Sequence, residues 1–146
     1  MNNSVGTAVV AALMVFSTSE AQGQDACAYD DPVYTCDATG DGINEFNADD
    51  QIVNIGGTGI IVGADRGVRL DDDNTITNDG QIDVGDEGID VGDSNTIVNN
   101  GLITSADDRG IKARDDNEIT NNGSIDADKP GIEAEDDNTI INNGSI

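Results

Sequence analysis

From Asp73 to Ile146 one phrase returns at an almost fixed interval, and no other feature restricts the possible folds so tightly. It reads Asn-Thr-Ile-Thr-Asn-Asp-Gly-Gln-Ile at Asn74 to Ile82 and Asn-Thr-Ile-Val-Asn-Asn-Gly-Leu-Ile at Asn95 to Ile103. It returns as Asn-Glu-Ile-Thr-Asn-Asn-Gly-Ser-Ile at Asn117 to Ile125 and Asn-Thr-Ile-Ile-Asn-Asn-Gly-Ser-Ile at Asn138 to Ile146. The opening asparagines are 21, 22 and 21 residues apart. A second phrase keeps the same beat at Gly67-Val68, Gly88-Ile89, Gly110-Ile111 and Gly131-Ile132. Such a period belongs to solenoids, in which no unit buries its own apolar face and each must stack on its neighbours.

Within a unit the apolar residues fall two apart, as in Ile82 with Val84 and Ile89 with Val91. That is the strand period, in which alternate side chains share a face. The residues are β-branched, and Gly, Asn and Asp cut the segments into turns. Each unit of about 21–22 residues therefore predicts three short strands, around Ile76, Ile82 and Ile89 in the first complete copy. Three strands and three corners make one coil of an all-β parallel β-helix, with roughly five coils expected over this length.

The inward columns follow. Ile76, Ile97, Ile119 and Ile140 form one, Ile82, Ile103, Ile125 and Ile146 a second, and Val68, Ile89, Ile111 and Ile132 a third. Asn78, Asn99, Asn121 and Asn142 share the inward parity; a buried amide must be hydrogen-bonded, and amides stacked at the strand spacing can bond to one another in a ladder. Gly80, Gly101, Gly123 and Gly144 follow two residues later, where a corner of positive φ is expected.

With thirty acids against six bases and a net charge of −24, the chain lacks the basic footprint that nucleic acid requires. The same charge disfavours anionic membrane surfaces. High charge with 3% aromatics also fits disorder. The apolar register argues against it, since a disordered chain has no reason to keep Ile in phase.

An apolar run from Thr7 to Phe16, too short to span a bilayer, precedes Ser19-Glu20-Ala21. This pattern predicts a secretory signal over residues 1–21, cleaved after Ala21, although Met1 to Gly6 holds no Lys or Arg. In an exported chain the pair Cys27 and Cys36 reads as a disulfide. Residues 22–47 carry Tyr29, Tyr34 and Phe46 and are expected to close the amino-terminal end as a cap, burying those rings. The repeats then occupy 48–146 and stop in mid-repeat, as a piece of a longer chain would. Ile52 to Gly56 is an imperfect first copy of the Asn-rich phrase.

No cofactor is expected apart from calcium, for which two acidic sets are candidates. Asp37, Asp41 and Glu45 partly match a calcium loop, although Thr39 and Ala48 stand where ligands belong. Asp72, Asp93, Asp115 and Asp136 form a second set, a column whose like charges predict stabilisation by salt or calcium. The bases are not scattered either. At the outward position two after each repeat glycine, Arg69, Asp90, Lys112 and Glu133 alternate in sign from coil to coil, as do Arg66, Glu87 and Arg109 just before the glycines until Pro130 ends the series.

Signal, cysteine-bearing cap and Asn-Thr-Ile-x-Asn-x-Gly-x-Ile repeats together resemble the passenger region of bacterial autotransporters. The resemblance covers most of the chain after residue 21 and rests on Thr35-Cys36 leading into Gly42-Ile43, then on repeats such as Asp73 to Ile82 and Asp137 to Ile146. It implies a right-handed parallel β-helix displayed outside a Gram-negative cell, often adhesive towards a host or surface ligand. It also implies a carboxy-terminal outer-membrane β-barrel, which this sequence does not contain. Three rivals stand beside it. A polysaccharide-active β-helix enzyme would use paired carboxylates, but the repeats offer neither His nor an aromatic platform, so no catalysis is expected. Ice binding by Thr75 and Thr77 fails where the array breaks at Val98, Glu118 and Ile141. A calcium-dependent repeat protein would need the Gly-Gly-x-Gly-x-Asp beat, which is absent.

Overall fold

β-Branched pairs and triplets bounded by Gly, Asn and Asp form strands of two to four residues throughout a computed structural model, which describes residues 26–63 and 65–146. The expected signal segment, residues 1–21, lies outside the described residues. β1 (Cys27–Asp30) and β2 (Val33–Cys36) make an antiparallel hairpin, and β2 begins the first coil with β3 (Thr39–Gly40) and β4 (Ile43–Asn44). The second coil is β5 (Ile52–Ile55), β6 (Ile60–Gly63) and β7 (Val68–Arg69); the third is β8 (Thr75–Asn78), β9 (Gln81–Val84) and β10 (Ile89–Asp90). Then come β11 (Thr96–Asn99), β12 (Leu102–Ser105) and β13 (Ile111–Ala113), followed by β14 (Glu118–Asn121), β15 (Ser124–Ala127) and β16 (Ile132–Ala134). β17 (Thr139–Asn142) opens one more turn.

Equivalent strands of successive coils pair in parallel, giving three sheets: β1-β2-β5-β8-β11-β14-β17, β3-β6-β9-β12-β15 and β4-β7-β10-β13-β16. The fold is thus a β-solenoid of about five coils, with no helix among the described residues. Every strand is needed by its neighbour above and below, since parallel pairing satisfies its backbone groups only between coils.

The isoleucine columns pair in register. Ile76, Ile97 and Ile119 are partners in the first sheet, Ile82, Ile103 and Ile125 in the second, and Val68, Ile89, Ile111 and Ile132 in the third. All of these are buried except Ile132, which is half-buried. Ile140 and Ile146, placed inward on the sequence pattern, are instead 47% and 59% exposed. Their outer sides meet no further coil among the described residues, which shows how far burial here depends on a stacked neighbour. Each covered isoleucine contributes roughly 1.5–3 kcal/mol through the area it removes from water.

The amino-terminal segment differs from expectation. Val33 to Asn44 supplies a strand to each of the three sheets, so much of the expected cap is itself a coil, and β1 alone lies over it in the first sheet. Tyr34 packs partly buried against the core, but the other two aromatics do not seal the end: Tyr29 is 52% and Phe46 45% exposed. They pack sideways. Tyr29 stacks on Tyr34 with ring centroids 4.4 Å apart, and the Arg69 guanidinium lies 4.1 Å over the Phe46 ring. In the second coil Val53 pairs with Ile76 and Ile55 with Asn78, so the apolar column continues there but the inward amide does not.

Candidate functional site

Three corners and one face carry the polar chemistry, each as a column repeated by the coil. At the first corner, after the third-sheet strand, the chain turns through positive φ at Asp50, Asp73, Ser94, Asp116 and Asp137, with φ between 56° and 59°. The glycines at the Asn-Gly corner were expected to supply this geometry, yet no described glycine has positive φ. Asp tolerates the left-handed region because its short polar side chain bonds locally. The glycines serve close approach instead: a Cβ at Gly101 would collide with the Gly80 carbonyl, and one at Gly123 with that of Gly101.

After the left-handed turns at Asp73, Ser94 and Asp116 comes a buried asparagine that sequence reasoning used only as a marker. Asn74 Oδ1 accepts the Gln51 backbone N–H at 2.8 Å, Asn95 Oδ1 that of Asn74 at 2.8 Å and Asn117 Oδ1 that of Asn95 at 2.8 Å. Their amide nitrogens donate to carbonyls of the coil before, at Ala48, Asp71 and Gly92. The signal that would have found them was recurrence directly after an Asp-Asp or Asp-Ser turn.

Asn78, Asn99, Asn121 and Asn142 form the amide ladder read from the sequence. Asn78 donates to Asn99, Asn99 to Asn121 and Asn121 to Asn142, each Nδ2–Oδ1 distance being 2.8 Å. The first three are fully buried. Outside them runs a second, exposed ladder in the opposite sense: Asn143 donates to Asn122, Asn122 to Asn100, and Asn100 to Asp79, at 2.8–2.9 Å.

The acidic column is held differently from a set of free like charges. The Asp49 carboxylate accepts the Asp72 N–H at 3.1 Å, Asp72 that of Asp93 at 2.7 Å, Asp93 that of Asp115 at 3.2 Å and Asp115 that of Asp136 at 2.9 Å. Each carboxylate therefore has a fixed donor from the next coil, which offsets part of the repulsion. Asp37, Asp41 and Glu45 are not gathered. Asp41 and Glu45 flank β4 whereas Asp37 sits at the corner before β3, facing Gly56, because strands of two sheets, not one loop, separate them. Among the described residues the acid triplets whose oxygens lie within 4.8 Å of one another are Asp49, Asp71 and Asp72, and Asp86, Glu87 and Asp108.

On the third sheet Arg69, Asp90, Lys112 and Glu133 are successive partners, in the alternation the sequence shows. Asp90 pairs directly with its strand partners Arg69 and Lys112, as the alternation predicts, and further ion pairs run diagonally. Asp90 lies 3.0 Å from Arg66 and 3.4 Å from Arg69, while Lys112 reaches back to Asp90 at 3.7 Å and Glu87 at 3.8 Å. Glu133, expected beside Lys112, places its carboxylate 2.8 Å from Arg109. Glu87, grouped by its sign with the alternating charges beside the third strand, is buried, its side chain being 3% exposed. Its Oε2 is 2.8 Å from Arg66 Nε and misaligned for a hydrogen bond, so the contact is an ion pair only. Asp108 meets Arg109 at 2.8 Å and Lys129 at 3.1 Å.

These environments push the carboxyls apart. Burial raises Glu87 above the usual range, with the Arg66 charge opposing. Against a burial penalty of its own, Asp108 is held low by the neighbouring Lys129 and Arg109 cations, and the Arg109 guanidinium beside Glu133 holds that carboxyl low. Linkage fixes the signs. A carboxyl raised on folding costs stability above its folded value, and that cost disappears as pH falls through it to the unfolded value. The depressed Asp108 and Glu133 stabilise above the unfolded value and lose that stabilisation as pH falls through their folded values. Melting temperature should therefore rise on mild acidification and fall on further acidification. Glu87→Gln should shrink the rise, and a calorimetric profile indifferent to that variant would contradict the assignment.

A cation has little room at Asp86, Glu87 and Asp108, because Arg66, Arg109 and Lys129 already sit against them. Asp49, Asp71 and Asp72 have no such neighbour among the described ion pairs. Comparison with known protein families, with curated proteins and with solved structures returned no match.

Proposed function

We propose that the chain is an exported, surface-displayed β-helical segment of the autotransporter passenger kind, acting as a stalk or binding surface without catalysis. The observation that carries this reading is a disulfide, Cys27–Cys36, fastening the hairpin at the amino-terminal end of the solenoid. Such bonds persist in oxidising compartments outside the cytosol. Coils of the same register then extend the fold along one axis, the geometry of a spacer that holds a surface away from its anchor. In this reading the anchor is a carboxy-terminal outer-membrane β-barrel, and the partner is a host or surface ligand met by the outward columns. Expression of the natural gene in its own cell, followed by protease treatment of intact cells, tests it. Digestion of the segment from outside is expected; a protected cytosolic protein with reduced cysteines would contradict it.

A second reading, a calcium-binding solenoid, is favoured by the Asp49, Asp71 and Asp72 cluster, whose hard oxygen donors suit that ion. Calcium should then raise the melting temperature beyond sodium chloride of equal ionic strength, and Asp72→Asn should remove the excess. Equal shifts in both salts would leave only screening.

A further inference from the structure

Three corners of the solenoid carry Asn followed by Gly: Asn100-Gly101, Asn122-Gly123 and Asn143-Gly144. This dipeptide is the one most prone to spontaneous hydrolysis, because a glycine N–H has no neighbouring Cβ to hinder it. The nitrogen, on losing its proton, attacks the asparagine Cγ. The Cγ–Nδ2 bond breaks, ammonia leaves, and water opens the resulting five-membered imide at either carbonyl to give Asp or isoaspartate. All three asparagines are exposed to solvent, so water and base reach them.

The coil stack blocks that reaction at each reacting atom. The nucleophilic N–H groups are engaged: Gly101 donates to the Asn78 carbonyl at 3.0 Å, Gly123 to that of Asn99 at 3.0 Å and Gly144 to that of Asn121 at 3.1 Å. The side-chain amides are held in the exposed ladder, with Asn100 bonded to Asp79 at 2.8 Å and to Asn122 at 2.9 Å. Backbone shift is also resisted, since Gly101 and Gly123 pack against the carbonyls of the preceding coil with no space for a Cβ. We propose that these Asn-Gly corners are deamidation sites gated by the stack: a closed coil keeps them intact and an opened one converts them.

The ladder also says what conversion does. Donation runs towards the amino terminus, so only its first member can be a carboxylate, which accepts and never donates. That member is Asp79, the sole acid of the column. A carboxylate created at Asn100 would delete the donor to Asp79 and set two like charges at adjacent corners of the stack. An opened corner, once converted, therefore closes less well, and the change marks permanently that the coil has opened.

Peptide-resolved mass spectrometry of the full-length chain, incubated at one mildly alkaline pH in native buffer and in guanidinium chloride, tests the proposal. Conversion at Asn100 and Asn122 is expected readily in the unfolded chain and at least about tenfold more slowly in the folded one, as for any reaction that requires local opening. Equal rates in the two states would overturn the gating. Intact asparagines in the unfolded chain would overturn the sites themselves.

Discussion

Ile111→Asp should abolish the cooperative fold at ambient temperature. Ile111 is fully buried, with Ile89 as partner on one side and Ile132 on the other, so the new carboxylate would meet apolar neighbours above and below. An unpaired buried charge costs several kcal/mol even after relaxation. Total stabilities are typically about 5–15 kcal/mol. Because each coil is held only by its neighbours, the damage spreads along the stack and is not absorbed locally. Ile111→Val, which removes one methylene, should cost about 0.5–1.5 kcal/mol. Circular dichroism and thermal melting measure both; a charged variant that melted like the parent would remove Ile111 from the core.

Asn99→Leu should be nearly as damaging, although it makes the interior more apolar. Asn99 accepts from Asn78 and donates to Asn121, both at 2.8 Å and both out of contact with water. Leucine would orphan the donor of Asn78 and the acceptor of Asn121. Each unsatisfied buried group costs about 1–3 kcal/mol, so a loss of roughly 2–6 kcal/mol is expected. Replacing the whole column by apolar residues leaves no ladder amide without a partner and strands only backbone groups such as the Gly80 N–H, which Asn78 accepts at 3.1 Å, so it should cost less per residue than this single change. Chemical denaturation distinguishes the cases, and a single variant within about 0.5 kcal/mol of the parent would show that the ladder carries no weight.

The fold was legible because the apolar residues obey two periods at once, two within a strand and about twenty-one between coils. Ile76, Ile97 and Ile119 needed nothing more to be placed. Charge sign was a poorer guide than parity. Counting by twos from Ile89 places Glu87 inward, where it lies; its sign, continuing the alternation of the neighbouring charges, is what groups it with outward residues. The glycines misled for another reason: a missing Cβ permits either positive φ or close approach, and the sequence does not say which. Gly101 and Gly123 use the second, while Asp73 and Asp116 take the left-handed turn. The aromatics of the amino-terminal segment were expected inside on size alone, but the interior of coil one holds Cys36 and Ile43, and Tyr29 and Phe46 face out.

All of this rests on one register, in which each coil lies directly over the next. Nitroxide labels on outward positions of the second sheet report it, since Asp83 pairs with Thr104 and Thr104 with Asp126. Dipolar broadening should be strong for a label pair at 83 and 104, one strand spacing of about 4.8 Å apart, and weaker at 83 and 126, two spacings apart. Absence of broadening at 83 and 104, or equal broadening in both pairs, would contradict the coil.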